Sequence, residues 1–319
     1  MGAVPPRPLA EDPDWADVDR ITFVCFLPGG EVALRPDGTL PVDRLAPGEH
    51  PLDAALRIPL EQAGFRYQHV HPFALDGGHL LAWVDGDRSW PPPGAGRTGM
   101  PTDPSGRALV AEAAADRERL TDEVFERDNL RTLQRAYLRA GTPEGQSGFG
   151  RDARTWRLRR QQVADCVERS GTFLDVGCAN GHLGESVARW CGERGLVVEP
   201  YGVDLGPDLV ALARRRLPQW ADRFWVGNAR DWVHPAGRRF DAVHVLLDVV
   251  LPARRGDLVA HHLATTVAPG GRLLVSHHGA RPEWRTDAVL EALGFTVGGW
   301  RPSRDRSRPS SGTAWIDQP

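Results

Sequence analysis

From Thr172 onward, short apolar runs alternate with stretches of helical length, and few architectures can absorb that order. FLDVG is followed by a helical span at 182–192, then VEPYGVD, a span at 207–216, FWVGN, FDAVHVLL, a span at 254–267, GRLLVS and a span at 283–292. A strand that returns in parallel to its own sheet must cross over through a helix, so the series predicts a doubly wound, mostly parallel α/β sheet. FTVGGW and GTAWID near the end fit a terminal hairpin. Two helices are predicted upstream. One runs from about Asp152 to Glu168, and the other follows the helical recurrence of Leu120, Val124, Leu130, Leu133 and Tyr137 among charges.

The first strand-to-helix turn reads Asp175-Val176-Gly177-Cys178-Ala179-Asn180-Gly181. Small residues at 177, 179 and 181 let the backbone approach a ligand closely, and the helix start offers N–H groups. Alone, such a loop is weak evidence, because tight strand–helix turns need glycine in any case. Asp204 ends the next strand, about where a doubly wound fold places an acid that accepts from both ribose hydroxyls. Asn228-Ala229-Arg230-Asp231 follows the third strand, where polar groups can address an adenine edge. Dinucleotide dehydrogenases want G-x-G-x-x-G, which the G-C-A-N-G-H-L-G of this loop fits poorly.

Taken in order, LDVGCANG, GVD, GNARDW, FDAVHVLL and VAPGGRLLVS resemble the successive motifs of class I S-adenosylmethionine-dependent methyltransferases, over about residues 150–300. The resemblance implies a Rossmann-like methyltransferase sheet, S-adenosylmethionine as cofactor, and methyl transfer as the activity. It implies that Gly177, Ala179, Asn180 and Gly181 pass near the methionine moiety, with Asp175 beside its amino group. It further implies that Asp204 and Leu205 hold the ribose, while Asn228, Ala229 and Asp231 border the adenine. GQSGFG resembles the pre-motif segment of bacterial small-molecule members, which makes Gln146, Ser147 and Gly148 candidate cofactor contacts.

Methyl transfer is an in-line displacement that positioning can largely catalyse, and a base helps only when the acceptor must lose a proton. Candidate bases belong at the carboxyl ends of strands, where open α/β sheets bind ligands. Asp248 follows the fourth strand, His277 and His278 follow the fifth, and His182 opens the first helix. His244 inside a strand and His261-His262 on a helix are expected to be structural. No NPPY or DPPY follows the fourth strand, and the paired-glutamate loop of protein arginine methyltransferases is missing. A small molecule is therefore the expected acceptor, and nucleic acid is not an expected partner. Arg157-Leu158-Arg159-Arg160 and Arg214-Arg215-Arg216 carry no interleaved aromatics and are expected to be solvated helix faces.

Upstream, ITFVCFL, EVALR, FRYQHVHPF and HLLAWV read as strands, with a helix from Pro51 to Ala63 between the second and third. GEHPLDAALRIPLEQAGF, after LPVDRLAP, resembles the Nudix box of nucleoside-diphosphate-linked hydrolases. It retains Glu49, Arg57, Glu61 and Gly64, but carries Asp43, Ile58, Pro59 and Gln62 where that pattern has glycine, glutamate, an apolar residue and glutamate. Carboxylates in that box hold magnesium against a pyrophosphate. The resemblance thus implies a smaller α+β Nudix-like domain that has lost hydrolysis, and Pro59 is expected to disturb its helix. Binding of a nucleotide-like or acceptor molecule, a homodimer surface and residual hydrolysis in a bifunctional protein all stay open as its role. A non-catalytic cofactor-binding regulator is the remaining alternative for the whole chain.

The expected organisation is a tail at 1–18, the Nudix-like domain at 19–88, a linker at 89–106, a helical cap at 107–150 and the methyltransferase domain at 151–319. DGDRSWPPPGAGRTGMPTDPSG is dense in proline and glycine and is expected to hold no regular element. All 39 basic residues are arginine, which excludes lysine-nucleophile chemistry, and a net charge of −3 gives no general attraction to nucleic acid or anionic membrane. Cys25, Cys166, Cys178 and Cys191 are too widely spaced for a zinc or disulfide framework, and no metal site is expected. The first residues lack the basic and apolar regions of a secretory leader, and no apolar run approaches a membrane span, so a cytoplasmic location is expected.

Overall fold

A computed structural model describes residues 7–8, 15–27, 30–63, 66–87, 96–148, 150, 152–277, 285–306 and 310–319. The chain divides into two compact units, Met1–Thr132 and Leu133–Pro319. Among the described residues no helix is long and apolar enough to cross a membrane.

The first unit contains β1 (Arg7–Pro8), β2 (Arg20–Phe26), β3 (Val32–Leu34), β4 (Val42–Arg44), α1 (Pro51–Ala63), β5 (Arg66–Asp76), β6 (His79–Asp87), β7 (Arg97–Gly99), α2 (Pro104–Arg117) and the start of α3 (Asp122–Arg139). Its sheet runs β1-β5-β6-β2-β3-β7, with β4 also on β2. Among the described residues only the β2–β6 pairing is parallel. Strand alternation builds two cores. Ile21, Phe23 and Cys25 of β2 pack with Ala54, Ala55 and Ile58 of α1, while Val24 and Phe26 pack with Val110 and Ala113 of α2. The sheet is therefore covered by a helix on each face.

Four expectations about this part of the chain need correction. The proline–glycine stretch does hold regular structure, since Arg97–Gly99 pairs with β3. An edge strand needs only one partner, and these three residues include no proline. The helix of the Nudix-like box continues through Pro59, which is buried within it. In α3 the buried residues are Phe125, Asp128 and Thr132, so the face turned inward is not the leucine–valine stripe. The helical segment expected as one cap is also divided, because α2 belongs to the first unit and residues from Leu133 onward to the second.

The second unit contains α4 (Ala153–Asp165), β8 (Gly171–Val176), α5 (His182–Gly192), β9 (Val198–Asp204), α6 (Pro207–Arg216), β10 (Phe224–Val226), β11 (Phe240–Leu246), α7 (Arg255–Thr265), β12 (Val267–His277), α8 (Thr286–Ala292), β13 (Gly299–Pro302) and β14 (Gly312–Asp317). The sheet order is β10-β9-β8-β11-β12-β14-β13. The first five strands run parallel, and β14 lies antiparallel between β12 and β13. Alternating residues of β8 again face opposite cores, with Leu174 and Val176 in one and Phe173 in the other, against Val163, Leu183 and Val187. From β8 the chain winds outward through β9 to β10, then crosses to β11 and β12. The direction reverses between β8 and β11, and ligands bind outside the carboxyl ends of strands at such a point.

Candidate active site

At the end of β8 the chain turns through three residues of positive φ, Gly177 (83°), Ala179 (45°) and Gly181 (77°). The turn is pinned to the neighbouring strand, because the N–H groups of Gly177 and Cys178 both donate to the Val203 carbonyl. A Cβ on Gly181 would lie 2.9 Å from Leu217 and 3.0 Å from Phe224. That glycine is thus demanded by the packing of the loop as much as by any ligand. Asn180 is fully buried. Its Oδ1 accepts from the His182 N–H, and its Nδ2 donates to the Pro143 carbonyl at 3.0 Å. It fastens residues 141–148 over the loop.

Asp204 stands at the tip of β9. Its Oδ2 accepts from the Ala179 N–H at 2.7 Å and its Oδ1 from the Gly206 N–H at 2.8 Å. Burial pushes its carboxyl up to about 6, against the two N–H donors that favour the charged form, with Asp175 adding a further rise. Each oxygen keeps a second lone pair. Two parallel acceptors on a carboxylate held rigid by backbone donors fit the vicinal hydroxyls of a ribose. Leu205, next in the chain, is half-buried.

Beyond β10, Asn228 closes its own turn, its Oδ1 accepting from the Arg230 N–H and its carbonyl from Trp232. Asp231 is exposed on this turn. His262 is fully buried and donates from Nε2 to the Ala229 carbonyl at 2.8 Å. His261 donates likewise to the Trp232 carbonyl at 3.0 Å. A carbonyl can only accept, so both Nε2 atoms carry the proton. Burial holds His262 down at about 4, which keeps it neutral. The paired histidines thus fix the turn after β10 from behind.

Residues 133–148 cover the carboxyl ends of β8 and β9. The Gln134 side chain exchanges hydrogen bonds with Asp208, and Tyr137 stands beside Asp204 and Gly148, its phenol raised by burial. Gln146 donates to the Ala140 carbonyl and holds its own turn, while Ser147 is buried. Gly148 has φ 94°, and a Cβ there would lie 3.1 Å from the Arg160 guanidinium. Arg160 rests over the Trp156 ring and acts electrostatically on Tyr137, Asp175 and Asp248. The arginine runs are therefore not simply solvated. Arg160 turns toward the site, Arg214 donates to the Phe224 carbonyl, and Arg216 donates to the Asn180 carbonyl and to Glu185. Arginine spacing gave no sign of this, because the deciding partners are distant backbone carbonyls.

Asp175 is buried and meets His244, its neighbour across the β8–β11 pairing, at 2.9 Å between Oδ1 and Nδ1. The His244 Nε2 lies 3.1 Å from Ser276 Oγ, which lies 2.9 Å from Thr313 Oγ1. A buried polar ladder thus crosses β8, β11, β12 and β14 and sets the Asp175 carboxylate. At the ends of β11 and β12, Asp248 and His277 come together, with Oδ1 and Nε2 3.4 Å apart. Arg255 Nη2 approaches the same Asp248 oxygen at 3.6 Å. His278 lies outside the described residues. His182 is enclosed at the start of α5, its ring tilted against Trp156 with centroids 4.9 Å apart, and lies within 3.1 Å of Glu185.

Comparison with known proteins bears on the same half of the chain. Residues 173–271 match the family described as Methyltransferase domain. A ubiquinone biosynthesis O-methyltransferase of Xanthomonas axonopodis pv. citri (strain 306) is 27% identical over 165 residues, which cover 50% of this chain and 66% of that relative, just under two thirds of its length. Among solved structures, the glycopeptide N-methyltransferase MtfA complexed with S-adenosylmethionine is 17% identical over 50% of this chain and 86% of its own, at a TM-score of 0.41. A SAM-dependent methyltransferase from Aquifex aeolicus is 15% identical over 50% of this chain and 91% of its own, at a TM-score of 0.38. The C-terminal half of the chain is a class I S-adenosylmethionine-dependent methyltransferase domain of Rossmann-like fold, and S-adenosylmethionine is its cofactor.

Proposed function

We propose that this protein methylates a small molecule at an atom that must lose a proton, such as a hydroxyl oxygen. The observation that carries the reading is the meeting of Asp248 and His277 at the ends of adjacent strands, 3.4 Å apart, beside the reversal point of the sheet. S-adenosylmethionine, when bound, supplies an electrophilic methyl group on a sulfonium. Asp204 would accept from its ribose hydroxyls, and the turn after β10, with Asn228, Ala229 and Asp231, would border its adenine. Gly177, Ala179 and Gly181 would give backbone room to its methionine moiety. Asp175, set by His244, would face the amino group, and Arg160 beside Gly148 would face the carboxylate. His277 would take the acceptor's proton, and Asp248 would orient the imidazole and balance the charge it gains. The relative named above is an O-methyltransferase of ubiquinone biosynthesis, in keeping with a small acceptor. A cytoplasmic setting accords with that substrate class.

Calorimetry on the intact protein tests the cofactor half of the reading. S-adenosylhomocysteine should bind in the micromolar range, about −7 to −8 kcal/mol, and an absence of binding would remove the whole proposal. A panel of small hydroxylated acceptors with labelled cofactor tests the other half.

For the first unit we propose a Nudix-like layer structure without hydrolase activity. The support is local. Arg57 bridges Glu49 and Glu61, the residues that the box retains, and a mixed sheet lies between α1 and α2.

A further inference from the structure

The first unit brings together a second set of chemistry-bearing side chains that methyl transfer does not use. In β5 the alternation of Q-H-V-H places Val70 in the core beneath α1 and turns His69 and His71 to the opposite face. There they meet Asp128 of α3. His71 Nδ1 lies 2.5 Å from Asp128 Oδ2, and His69 Nε2 lies 3.5 Å from the same oxygen. One ligand atom from each of the three residues falls within 4.8 Å of the others. Asp128 is 1% exposed and His69 3%. His69 stacks on Phe125, and Trp83 flanks both imidazoles, so the cluster is walled by aromatic rings.

We propose that His69, His71 and Asp128 bind a divalent transition-metal ion of the zinc, iron or cobalt class. The orphaned atom in the cluster is His69 Nε2, which is buried and has no hydrogen-bond partner. The other ring nitrogen of His69 sits 3.2 Å from the Asn129 side-chain oxygen, an acceptor, so Nδ1 carries the proton. Nε2 therefore presents a lone pair toward a carboxylate oxygen 3.5 Å away. Across a dry gap these two atoms are reconciled either by a second proton on His69 or by a cation held between them.

The surroundings follow the usual second layer of a metal site, in which the far nitrogen of each histidine is held by an acceptor. Asn129 does this for His69. Asp116, itself accepting from the Trp83 N–H at 2.9 Å, does it for His71 at 3.3 Å. Arg131 engages the other Asp128 oxygen, Oδ1, at 2.7 Å and leaves Oδ2 for the ion. Two imidazoles and one carboxylate favour a borderline d-block cation over magnesium or calcium, which prefer oxygen ligands. Ligands at about 2.0–2.2 Å around a tetrahedral ion stand a little over 3 Å apart. His71 and Asp128 must therefore open by less than an ångström to admit one.

Full-length protein stripped with a chelator is the material for the test. Zinc titrated by calorimetry should saturate at one ion per chain, and cobalt should give visible d–d bands that zinc abolishes. Magnesium should give no heat of binding. In His69→Gln, which keeps bulk and loses the ring nitrogen, zinc affinity should fall at least 100-fold. Asp128→Asn should do the same, with circular dichroism confirming that each variant is folded. Should Asp128→Asn not fold, His69→Gln and the cobalt spectrum decide alone. Zinc binding equal in the parent and His69→Gln would overturn the proposal. So would absence of uptake by the parent protein, which would leave the cluster a buried histidine–aspartate ion pair.

Discussion

At the level of single residues, Asp204 has the most exposed consequences. It accepts two backbone N–H groups and still offers two lone pairs, so Asp204→Ala should weaken S-adenosylhomocysteine binding by about 1.5–3 kcal/mol, roughly 10–150-fold in calorimetry. Its carboxyl sits at about 6 because burial disfavours the charge. Ribose hydroxyls donate to the carboxylate form and lower that value on binding, so cofactor affinity should be full above pH 6 and fall as pH drops through it. Calorimetry between pH 5 and 8 checks this, and a flat dissociation constant would contradict it. The same raised value has the opposite sign for folding. Between about pH 4 and 6 the folded state holds a proton that the unfolded chain has released, so this group favours folding at the acid end. His262, held down at about 4, works the other way and favours folding as pH rises toward the ordinary histidine value. The acceptor side gives a second test. His277→Gln or Asp248→Asn should lower turnover about 10²–10⁴-fold with little change in cofactor affinity. Turnover within a few-fold of the parent in both variants would mean that positioning alone suffices.

Among the elements, the turn between β8 and α5 is held by shape as well as by ligand chemistry. Gly181 combines φ 77° with side chains of Leu217 and Phe224 at 2.9–3.0 Å from where a Cβ would sit. Gly181→Ala should therefore destabilise the fold by about 2–3 kcal/mol, from strain plus overpacking. A thermal midpoint lowered by roughly 4–12 °C is the expected reading, and an unchanged midpoint would show that the loop relaxes freely. Elements of this half were legible in the sequence because period and punctuation agree. The spans at 182–192 and 207–216 and the strand VEPYGVD coincide with α5, α6 and β9. Where tertiary pairing decides, local pattern misled. Strand β7 exists only because β3 offers it an edge. Helix α2 was passed over although Asp103 caps it and Pro104 opens it, because the surrounding glycines and prolines dominate the local composition. In α3 the buried stripe is Phe125, Asp128 and Thr132, since β5 presents histidines that a carboxylate can meet. The candidate cofactor loop was readable for the same reason as the strands around it. Arg160 and the ladder behind Asp175 were not, because they depend on contacts between residues far apart in sequence.

Across the whole molecule, the two units differ in how far a motif's residues keep the environment that their chemistry needs. In the second unit the acid at 204 stands at a strand tip with lone pairs to spare. In the first, the described residues on which the proposed Nudix-like resemblance turns are engaged otherwise. Ile58, where a metal-binding glutamate would stand, is fully buried among Ala54, Ala55 and Phe23. Gln62 stands at another such position, and its amide is spent on β4, accepting from the Val42 N–H at 3.0 Å and donating to the Val42 carbonyl at 3.1 Å. The two retained carboxylates both pair with Arg57, Glu49 through two bonds of 2.8 Å and Glu61 at 3.0 Å. Magnesium bound against a pyrophosphate needs several carboxylates converging without a competing cation, and here a guanidinium already occupies the meeting point. Restoring one glutamate would not suffice, because Ile58→Glu would bury a charge in the α1 core and destabilise the unit by several kcal/mol. The full-length protein should therefore release no phosphate or nucleotide, with magnesium or manganese present, from a panel of nucleoside diphosphate sugars and dinucleoside polyphosphates. Gln62→Glu, which keeps the helix and returns a carboxylate to its half-buried flank beside β4, should remain inactive because Ile58 still withholds the second. Metal-dependent turnover by the parent protein that disappears in Glu61→Gln would show that Arg57 yields its partners to a metal, and that the first unit is an active hydrolase.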